Sequence, residues 1–266
     1  MKKKILITGA TDGIGLGTAE LCVSKGHTVL LHGRSAEKLT RTESTLRSID
    51  ANACVENYLA DLSDFTKVAD LADAILDKHQ TLDVVINNAG VFSSSTPMTH
   101  AGLDIRFMVN TIAPYFLTRR LATLIGNQGR VVNLSSAAQA PVDLEAFRGN
   151  KQLSAEAAYA QSKLALTMWS HGLATEFSNG PTVIAVNPGS FLGSKMVKEA
   201  FGMEGKDIQI GARIVAGLAV EEKYASASGL YFDNDIGRFC DPHPDAMNSD
   251  KIASLMTLTD SILGAG

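Results

Sequence analysis

The chain has 266 residues, of which 45% are hydrophobic and 20% are charged, a composition that supports a sizeable core and excludes a disordered or fibrous protein. Its 24 basic and 28 acidic residues give a formal net charge of −4, which provides no basic surface for nucleic acid or an anionic membrane. The cysteines are Cys22, Cys54 and Cys240. Their odd number and wide separation indicate neither disulfides nor a zinc site, and predict a cytoplasmic protein.

Short β-branched runs alternate along the chain with longer helical patterns, which predicts parallel strands joined by crossover helices. The predicted strands are Lys4–Thr8, Thr28–His32, Cys54–Leu59, Val84–Asn87, Arg130–Leu134, Thr182–Asn187 and Gly229–Phe232. The predicted helices lie near Gly13–Lys25, Ala36–Ile49, Ser63–His79, Leu103–Ile125, Ala155–Phe177, Ile210–Val220 and Lys251–Leu263. Residues 1–266 are therefore predicted to form a single α/β domain, a doubly wound sheet of about seven parallel strands with helices on both faces.

Two stretches between the predicted elements have an irregular pattern, Ala137–Ser154 and Ser190–Gln209. Each follows the carboxyl end of a predicted strand, where open α/β sheets bind their ligands. We predict that substrate contacts lie in residues 137–158 and 190–209. The glycines of the second stretch further predict a lid that closes over substrate and moves when no ligand is bound.

Several classes of protein are disfavoured because their signals are missing. The apolar run after the first lysines ends at Thr8, too early for a secretory signal, and no uncharged run reaches the roughly 18 residues that a membrane span needs. The six histidines show no H-E-x-x-H spacing, and no G-x-S-x-G occurs. We therefore expect neither a membrane span, a metal site nor an α/β-hydrolase nucleophile.

The first predicted strand runs into the sequence T-G-A-T-D-G-I-G, from Thr8 to Gly15, which also opens a predicted helix. Glycines permit positive φ and a close backbone approach, and a helix N-terminus favours a pyrophosphate. By spacing alone this could be an ordinary strand-to-helix turn, but its place in the first crossover of a Rossmann-type sheet favours a dinucleotide site. The residues predicted to contact the dinucleotide here are Gly9, Thr11, Asp12, Gly13, Ile14 and Gly15.

The end of the second predicted strand distinguishes between the two nicotinamide cofactors. An NAD site would carry a carboxylate there for the ribose 2′-hydroxyl, whereas an arginine accommodates the 2′-phosphate of NADP. This strand ends in L-H-G-R-S, with Arg34 and no carboxylate. Arg34 could instead cap a surface turn, and Asp12 in the glycine turn is unfavourable for a phosphate. We predict NADP (NADPH) as the cofactor.

A tyrosine and a lysine, Tyr159 and Lys163, stand four residues apart in the predicted helix Ala155–Phe177. Residues at this spacing share one helix face, so the phenol and the ammonium can address one ligand. Tyrosine ionises near pH 10, and a neighbouring cation favours the tyrosinate, which would make a general base. A surface pair of the same spacing is the alternative, and the spacing alone does not exclude it.

Polar residues also follow two other predicted strands. Ser135 and Ser136 follow Arg130–Leu134, and a hydroxyl at that place can bind a reacting oxygen and stabilise a developing alkoxide. Asn88, Ala89 and Gly90 follow Val84–Asn87 in the same way. Each of these groups could instead be a helix cap or a turn.

These motifs occur together in one order along nearly the whole chain, and in this order the sequence resembles the short-chain dehydrogenase/reductase family. The motifs are T-G-x-x-x-G-x-G, Asp61-Leu62, Asn87-Asn88-Ala89-Gly90, Asn110, Ser136, Tyr159-x-x-x-Lys163 and Asn187-Pro188-Gly189. The pair Gly33-Arg34, the long segment between Ser136 and Tyr159, and the run S-G-L-Y-F that starts at Ser228 are most similar to the retinol dehydrogenase and protochlorophyllide reductase branch.

The resemblance implies a role for each site residue. Tyr159 would be the general acid/base, and Lys163 would bind the nicotinamide ribose and lower the pKa of the tyrosine. Ser136, the second serine of its pair, would bind the reacting oxygen, and Asn110 would order a water that passes protons to Lys163. The remaining cofactor contacts would be Asp61 and Leu62 at the adenine, Ala89 and Gly90 at the adenosine ribose, Asn88 beside them, and Pro188 and Gly189 at the nicotinamide.

One departure from the family pattern concerns the nicotinamide. Gly193 stands where the family commonly has a threonine that binds the carboxamide, which leaves Ser190 or Ser194 as a substitute. The segment Ala137–Ala158 is also longer than in many members.

The resulting hypothesis is an NADP(H)-dependent oxidoreductase acting on a small-molecule alcohol or carbonyl, small or lipophilic. The alternative is a sensor or scaffold that binds NADP without turnover. A sugar-nucleotide epimerase would need a larger domain after Gly189. Family members often form a homodimer or homotetramer through the helices corresponding to Leu103–Ile125 and Ala155–Phe177, and periodicity does not decide whether this chain does so.

Overall fold

A computed structural model describes residues 1–193, 202 and 204–264 of the chain. Its strands are β1 (Lys4–Ile7), β2 (Thr28–Gly33), β3 (Val55–Leu59), β4 (Val84–Asn87), β5 (Arg130–Leu134), β6 (Thr182–Asn187), β7 (Tyr231–Asp233) and β8 (Arg238–Cys240). They form one eight-stranded sheet in the order β3-β2-β1-β4-β5-β6-β7-β8. The strands from β1 to β7 pair in parallel, and β8 pairs antiparallel with β7.

Helices follow most of the strands. They are α1 (Gly13–Ser24), α2 (Ala36–Ile49), α3 (Phe65–Lys78), α4 (Ile105–Phe107), α5 (Ala113–Ile125), α6 (Leu144–Phe147), α7 (Ala155–Glu176), α8 (Gln209–Val220) and α9 (Ser249–Gly264). One turn of π-helix, Met108–Ile112, joins α4 to α5, and 3-10 turns span Glu222–Tyr224 and Pro244–Met247. No helix in the described residues is long and apolar enough to cross a membrane.

The central strands are apolar on both sides because helices cover both faces of the sheet. In β1, Ile5 and Ile7 belong to the core cluster formed with α1, α2 and α8. Leu6 points to the opposite face, into a cluster formed with α3, α5, α7 and α9. All three side chains are fully buried. This arrangement leaves the carboxyl ends of the strands as the edge at which loops can hold a ligand.

The predicted fold class is confirmed, with one correction to the sheet. It has eight strands and is not wholly parallel, because Arg238–Cys240 returns antiparallel as an edge strand. Periodicity missed this strand because it has only three residues and none of them is fully buried. The strand predicted at Gly229–Phe232 begins two residues later, since Gly229 has a φ of +79° and belongs to the preceding turn.

The helix predicted at Leu103–Ile125 is interrupted by the π turn. Pro114 explains part of this interruption, because it has no N–H to donate to the carbonyl of Asn110, its partner in an uninterrupted α-helix. Single π turns of this kind are frequent at functional sites. The π turn therefore contains Asn110, which the sequence analysis predicted as a residue of the site.

The two segments predicted to be irregular have different outcomes. Within Ala137–Ser154 the chain forms the short helix α6, and Phe147 is fully buried with its ring centre 5.1 Å from that of Phe107. In the predicted lid, residues 194–201 and 203 lie outside the described part of the chain. The lid therefore stays a prediction, and so does the single domain over residues 1–266.

Candidate active site

A cleft of about 580 Å³ lies along the carboxyl ends of β1 to β6. It brings together most of the residues predicted from the sequence. The predicted residues in its lining are Gly9, Thr11, Asp12, Gly13, Ile14, Arg34, Asp61, Leu62, Asn88, Ala89, Gly90, Tyr159, Lys163 and Pro188. The predicted residues outside its lining are Gly15, Asn110, Ser136 and Gly189.

The turn after β1 requires its glycines. Gly9 has a φ of +63°, and a Cβ there would lie 2.9 Å from the Cα of Ala89. A Cβ on Gly15 would clash with Nδ2 of Asn88 and with the carbonyl oxygen of Gly9. Asp12 caps α1 through its side chain, which accepts a hydrogen bond from the N–H of Gly13 at 2.9 Å. The turn thus presents bare backbone and a helix N-terminus to the cleft, which suits a pyrophosphate.

Asn88 fastens this turn to the end of β4. Its Nδ2 donates to the carbonyls of Thr8 and Gly9 at 2.8 and 2.9 Å, and its backbone N–H donates to Oγ1 of Thr8 at 3.0 Å. The amide side chain therefore supports the cradle from beneath. Gly15 lies outside the lining because it packs against this amide.

His32, which the sequence analysis did not select, holds the other side of the turn. Its Nδ1 accepts from the N–H of Gly9 at 3.2 Å, and its Nε2 lies 3.1 Å from the carbonyl of Ala60. The accepting Nδ1 assigns the proton to Nε2, so the ring is neutral. Burial lowers the pKa of His32 to about 4. The only signal in the sequence was a polar residue at the end of an otherwise apolar strand.

This histidine predicts a pH dependence of stability. The unfolded chain binds a proton at His32 below its ordinary pKa of 6.5, whereas the folded chain does so only near 4. Stability is therefore lost as the pH falls through this window, by up to about 1.4 kcal/mol per pH unit. We expect the free energy of unfolding, measured by urea denaturation, to fall more steeply in the wild type than in His32→Asn. An equal slope in both proteins would contradict this assignment, and the exposed His100→Asn serves as the control.

A basic group stands at the end of the cleft next to β2. Arg34 is exposed and makes no ion pair with any residue that the structure describes. Lys38, in the first turn of α2, also lines the cleft, and its Nζ lies 3.3 Å from Oδ2 of Asp12. Lys38 therefore offsets the carboxylate that the sequence analysis counted against a phosphate. Its spacing of four residues from Arg34 was the signal that could have found it.

At the opposite end of the cleft, Lys163 is buried below Tyr159. Its Nζ lies 5.7 Å from the centre of the tyrosine ring and donates to the carbonyl of Leu134 at 2.7 Å. Burial lowers the pKa of Lys163 to about 8. A lysine of lowered pKa beside a phenol is an arrangement suited to proton transfer.

The pKa of Tyr159 moves opposite to expectation. Removal of the phenol from water raises the pKa of Tyr159, and a hydrogen bond with Ser136 lowers it by less. The expected lowering of the Tyr159 pKa by Lys163 is thus wrong for this structure, because desolvation dominates and, within the described part of the chain, the ammonium donates to the Leu134 carbonyl rather than to the phenol. A raised pKa keeps the phenol protonated at neutral pH, which is the form of a general acid.

The two serines after β5 have different surroundings. Ser135 is buried, and its Oγ lies 3.1 Å from the carbonyl of Lys163 and 2.7 Å from Oγ1 of Thr167. Ser136 is half-buried, its Oγ accepts from the N–H of Ala138 at 3.1 Å, and its side chain lies near enough to Tyr159 to lower the pKa of the phenol. Although Ser135 lines the cleft and Ser136 does not, the Ser135 hydroxyl is already engaged with α7. The contact with Tyr159 therefore favours Ser136 as the serine for a reacting oxygen.

Asn110 is fully buried in the π turn. Its Oδ1 accepts from the N–H of Val91 at 2.8 Å, and its Nδ2 donates to the Val91 carbonyl at 3.0 Å and to Oγ of Ser162 at 2.9 Å. Ser162 in turn donates to the carbonyl of Tyr159 at 2.7 Å. The side chain of Asn110 thus joins the loop after β4 to the helix of Tyr159. The water predicted at Asn110 stays a prediction.

The substitute predicted for the missing threonine is also engaged elsewhere. Pro188 lines the cleft after β6, and Gly189 has a φ of +124° that a side chain would strain. Ser190 donates its hydroxyl and its backbone N–H to the carboxylate of Asp235. Ser190 thus has no free hydroxyl proton for a carboxamide, and Ser194 lies outside the described residues.

Beside the reactive residues the cleft is apolar. The ring centre of Phe92 lies 5.0 Å from that of Tyr159 in an edge-on contact. The other apolar residues lining this part are Val91, Ile105 and Val109. None of these was selected from the sequence, because an apolar residue in a loop or helix is far more often part of the core.

The geometry agrees with the comparisons with known proteins. A family model described as short chain dehydrogenase matches residues 3–205. Retinol dehydrogenase 13 of Homo sapiens is 29% identical over 251 residues, covering 87% of this chain and 76% of that protein. This similarity confirms the predicted resemblance to the retinol dehydrogenase branch.

Two solved structures similar to this chain carry NADP. A short chain dehydrogenase from Burkholderia cenocepacia, in complex with NADP, is 26% identical with a TM-score of 0.68 over 87% of this chain and 95% of that one. A short chain dehydrogenase from Shigella flexneri, complexed with NADP, is 27% identical with a TM-score of 0.70 over 88% of this chain and 97% of that one. With the fold, the cleft and the family match in agreement, the chain belongs to the short-chain dehydrogenase family of oxidoreductases.

Proposed function

We propose that this oxidoreductase uses NADP(H) and interconverts an alcohol and a carbonyl compound. The observation that carries the proposal is the single cleft with Arg34 and Lys38 at one end and Tyr159 with Lys163 at the other. The first pair suits a phosphate, and the second suits proton transfer to a substrate oxygen. The NADP carried by the two structural relatives supports the same cofactor.

The residues of the cleft fit such a cofactor. Gly9 and Gly13 have positive φ and leave no Cβ in the cradle, and α1 begins at Gly13. The N-terminus of α1 would hold the pyrophosphate, and Arg34 with Lys38 would hold the 2′-phosphate. The resemblance to the family assigns Asp61 and Leu62 to the adenine and Ala89 and Gly90 to its ribose, and all four line the cleft.

When bound, NADPH would supply the hydride, so the chain itself must supply a proton and bind the reacting oxygen. We assign the proton to the phenol of Tyr159, because it lines the cleft with the Lys163 ammonium 5.7 Å from its ring centre and is protonated at neutral pH. Ser136, whose side chain lies beside that phenol, would bind the substrate oxygen. Lys163 would stabilise the phenolate that forms when the proton leaves and would bind the nicotinamide ribose.

A pH–rate profile follows from this assignment. Carbonyl reduction needs Tyr159 protonated, and the raised pKa of Tyr159 extends that form to higher pH. We expect the reduction rate to hold through neutral pH and to fall as the pH rises through about 8, where half of the Lys163 side chains have lost their charge. Alcohol oxidation needs the phenolate of Tyr159 instead, so its rate should rise only as the pH approaches and passes the ordinary phenol pKa of 10. A reduction rate that already falls between pH 6 and 7, measured with NADPH in excess, would contradict the assignment.

The substrate is proposed to be small or lipophilic. Phe92, Val91, Ile105 and Val109 make the part of the cleft beside Tyr159 apolar, so burial of an apolar substrate there is favourable. The name of the human relative says that it acts on retinol, a lipophilic alcohol. We therefore place lipophilic aldehydes and ketones first in a substrate screen.

The proposal is tested first by binding. Isothermal titration calorimetry of the protein with NADPH and with NADH should give tighter binding of NADPH. In a second experiment, addition of aldehydes or ketones to the NADPH complex should cause loss of reduced nicotinamide. Tighter binding of NADH would overturn the cofactor assignment. Tight NADPH binding without turnover of any carbonyl or alcohol would favour the alternative, a sensor or scaffold that binds NADP.

Three further properties stay predictions. They are the cytoplasmic location, the homodimer or homotetramer formed through helices of this chain, and the single domain. Size-exclusion chromatography with light scattering measures the oligomeric state directly.

A further inference from the structure

The hairpin formed by β7 and β8 lies beyond residues 3–205, which the family model matches. The turn between β7 and β8 hydrogen-bonds to residues 187–190, which end β6 and contribute Pro188 to the cleft. Because β6 lies next to β5 in the sheet, this segment is adjacent to Leu134, the residue that holds Lys163. The hairpin therefore contacts the wall of the cleft at its reactive end.

Asp235 accepts three hydrogen bonds from residues 187–190. Its carboxylate accepts from the N–H of Ser190 at 2.9 Å, from Oγ of Ser190, and from Nδ2 of Asn187 at 2.8 Å. Burial acts to raise the pKa of Asp235, but the hydrogen bonds from Ser190 and Asn187 outweigh it and lower the pKa overall. The carboxylate is thus charged at neutral pH, and charge-assisted hydrogen bonds of this kind are the strong ones.

The neighbouring residues of the hairpin reinforce this contact. Asn234 donates its backbone N–H to the carbonyl of Asn187 at 3.0 Å and its Nδ2 to the carbonyl of Pro188 at 2.9 Å. On the other side of the cleft end, the hydroxyl of Tyr231 donates to the carbonyl of Ser136 at 3.1 Å. The hairpin thus connects Pro188 with Ser136, the serine beside Tyr159.

We propose that Asp235 is a positioning residue for the nicotinamide end of the cleft. It holds Pro188–Ser190 in place through Ser190 and Asn187, and so fixes the wall against which the reactive ring of the cofactor binds. Ser190 acts in this wall as an anchor to Asp235 rather than as a direct ligand of the carboxamide. This inference rests on the proposed NADPH site and adds a residue to it that touches neither cofactor nor substrate.

The test compares two ligands that differ at the nicotinamide. NADPH spans the whole cleft, whereas adenosine 2′,5′-bisphosphate carries the adenosine and the 2′-phosphate without a nicotinamide. In Asp235→Ala we expect the dissociation constant of NADPH to rise about tenfold, as for loss of charged hydrogen bonds, while that of the bisphosphate stays within about twofold. Asp235→Asn, which keeps one acceptor, should give a smaller rise. Asp241→Asn, an exposed carboxylate just past β8, is the matched control and should bind both ligands as the wild type does.

Three other outcomes would overturn the inference, each in a distinguishable way. Unchanged NADPH binding in Asp235→Ala would refute the positioning role, and equal losses of both ligands would indicate a general effect on folding. A wild-type protein that binds neither ligand would overturn the proposed cofactor site as well. If Asp235→Ala does not fold, Asn234→Ala removes the hydrogen bond from the same hairpin to the carbonyl of Pro188 and should still weaken NADPH selectively.

Discussion

Tyr159→Phe should lower the rate of carbonyl reduction with NADPH by about 10²- to 10⁴-fold, the usual contribution of general acid–base catalysis. The substitution keeps the ring and its edge-on contact with Phe92 and removes only the oxygen that carries the proton. Because the substitution leaves Arg34, Lys38 and the glycine turn after β1 unchanged, the affinity for NADPH should stay within a few-fold of the wild type. Steady-state turnover and a parallel NADPH titration measure the two effects separately.

The matched control is Tyr224→Phe, a half-buried tyrosine whose ring packs against Phe232 and Phe239 outside the cleft. It should turn over as the wild type does. Full turnover in Tyr159→Phe would refute the role of the phenol. Loss of NADPH binding together with turnover in that variant would instead indicate a disrupted cleft.

Arg34→Ala should weaken NADPH roughly 10- to 100-fold and leave NADH unchanged, because a charged hydrogen-bonded contact contributes about 1.5–3 kcal/mol. The double variant with Lys38→Ala should weaken NADPH further, since Lys38 also offsets the carboxylate of Asp12 at 3.3 Å. Asp12→Asn should act in the opposite direction and tighten NADPH. The NADPH titration and the NADH titration should each be run at low and at high salt, because contacts between exposed charges weaken as ionic strength rises.

The matched control for the cationic pair is Arg41→Ala. Arg41 is exposed in α2, the helix that also carries Lys38. It pairs with Glu37 and does not line the cleft. It should leave both cofactors unaffected. Equal losses of NADPH and NADH in Arg34→Ala would show that Arg34 does not recognise the 2′-phosphate.

Those parts of the fold and site that depend on local sequence could be predicted. The strand periodicity placed β1 to β6 within about a residue of their bounds. Gly9, Gly13 and Arg34 were found because a turn that needs positive φ and a strand-end cation carry their own signals.

Those parts that depend on contacts between distant segments could not be predicted. His32 hydrogen-bonds to Gly9 and to Ala60, which are far from it in the sequence. Asp235, in the last hairpin, accepts a hydrogen bond from Ser190, which follows β6 and is 45 residues earlier in the chain. The direction of the Tyr159 pKa was missed for a related reason. A helix spacing shows that Lys163 is near, but the loss of water around the phenol depends on every segment that lines the cleft.

The central claim is that one cleft combines NADPH binding with proton donation from Tyr159. Its most direct test is a stoichiometric one, in which wild-type protein and Tyr159→Phe, each saturated with NADPH, are mixed with a panel of lipophilic aldehydes and ketones. Loss of reduced nicotinamide and formation of alcohol are then measured together. We expect the wild type to form one alcohol for each NADPH consumed on at least one carbonyl, and Tyr159→Phe to do so at least a hundredfold more slowly. Equal rates in the two proteins, or NADPH-saturated wild type that reduces none of the carbonyls, would contradict it.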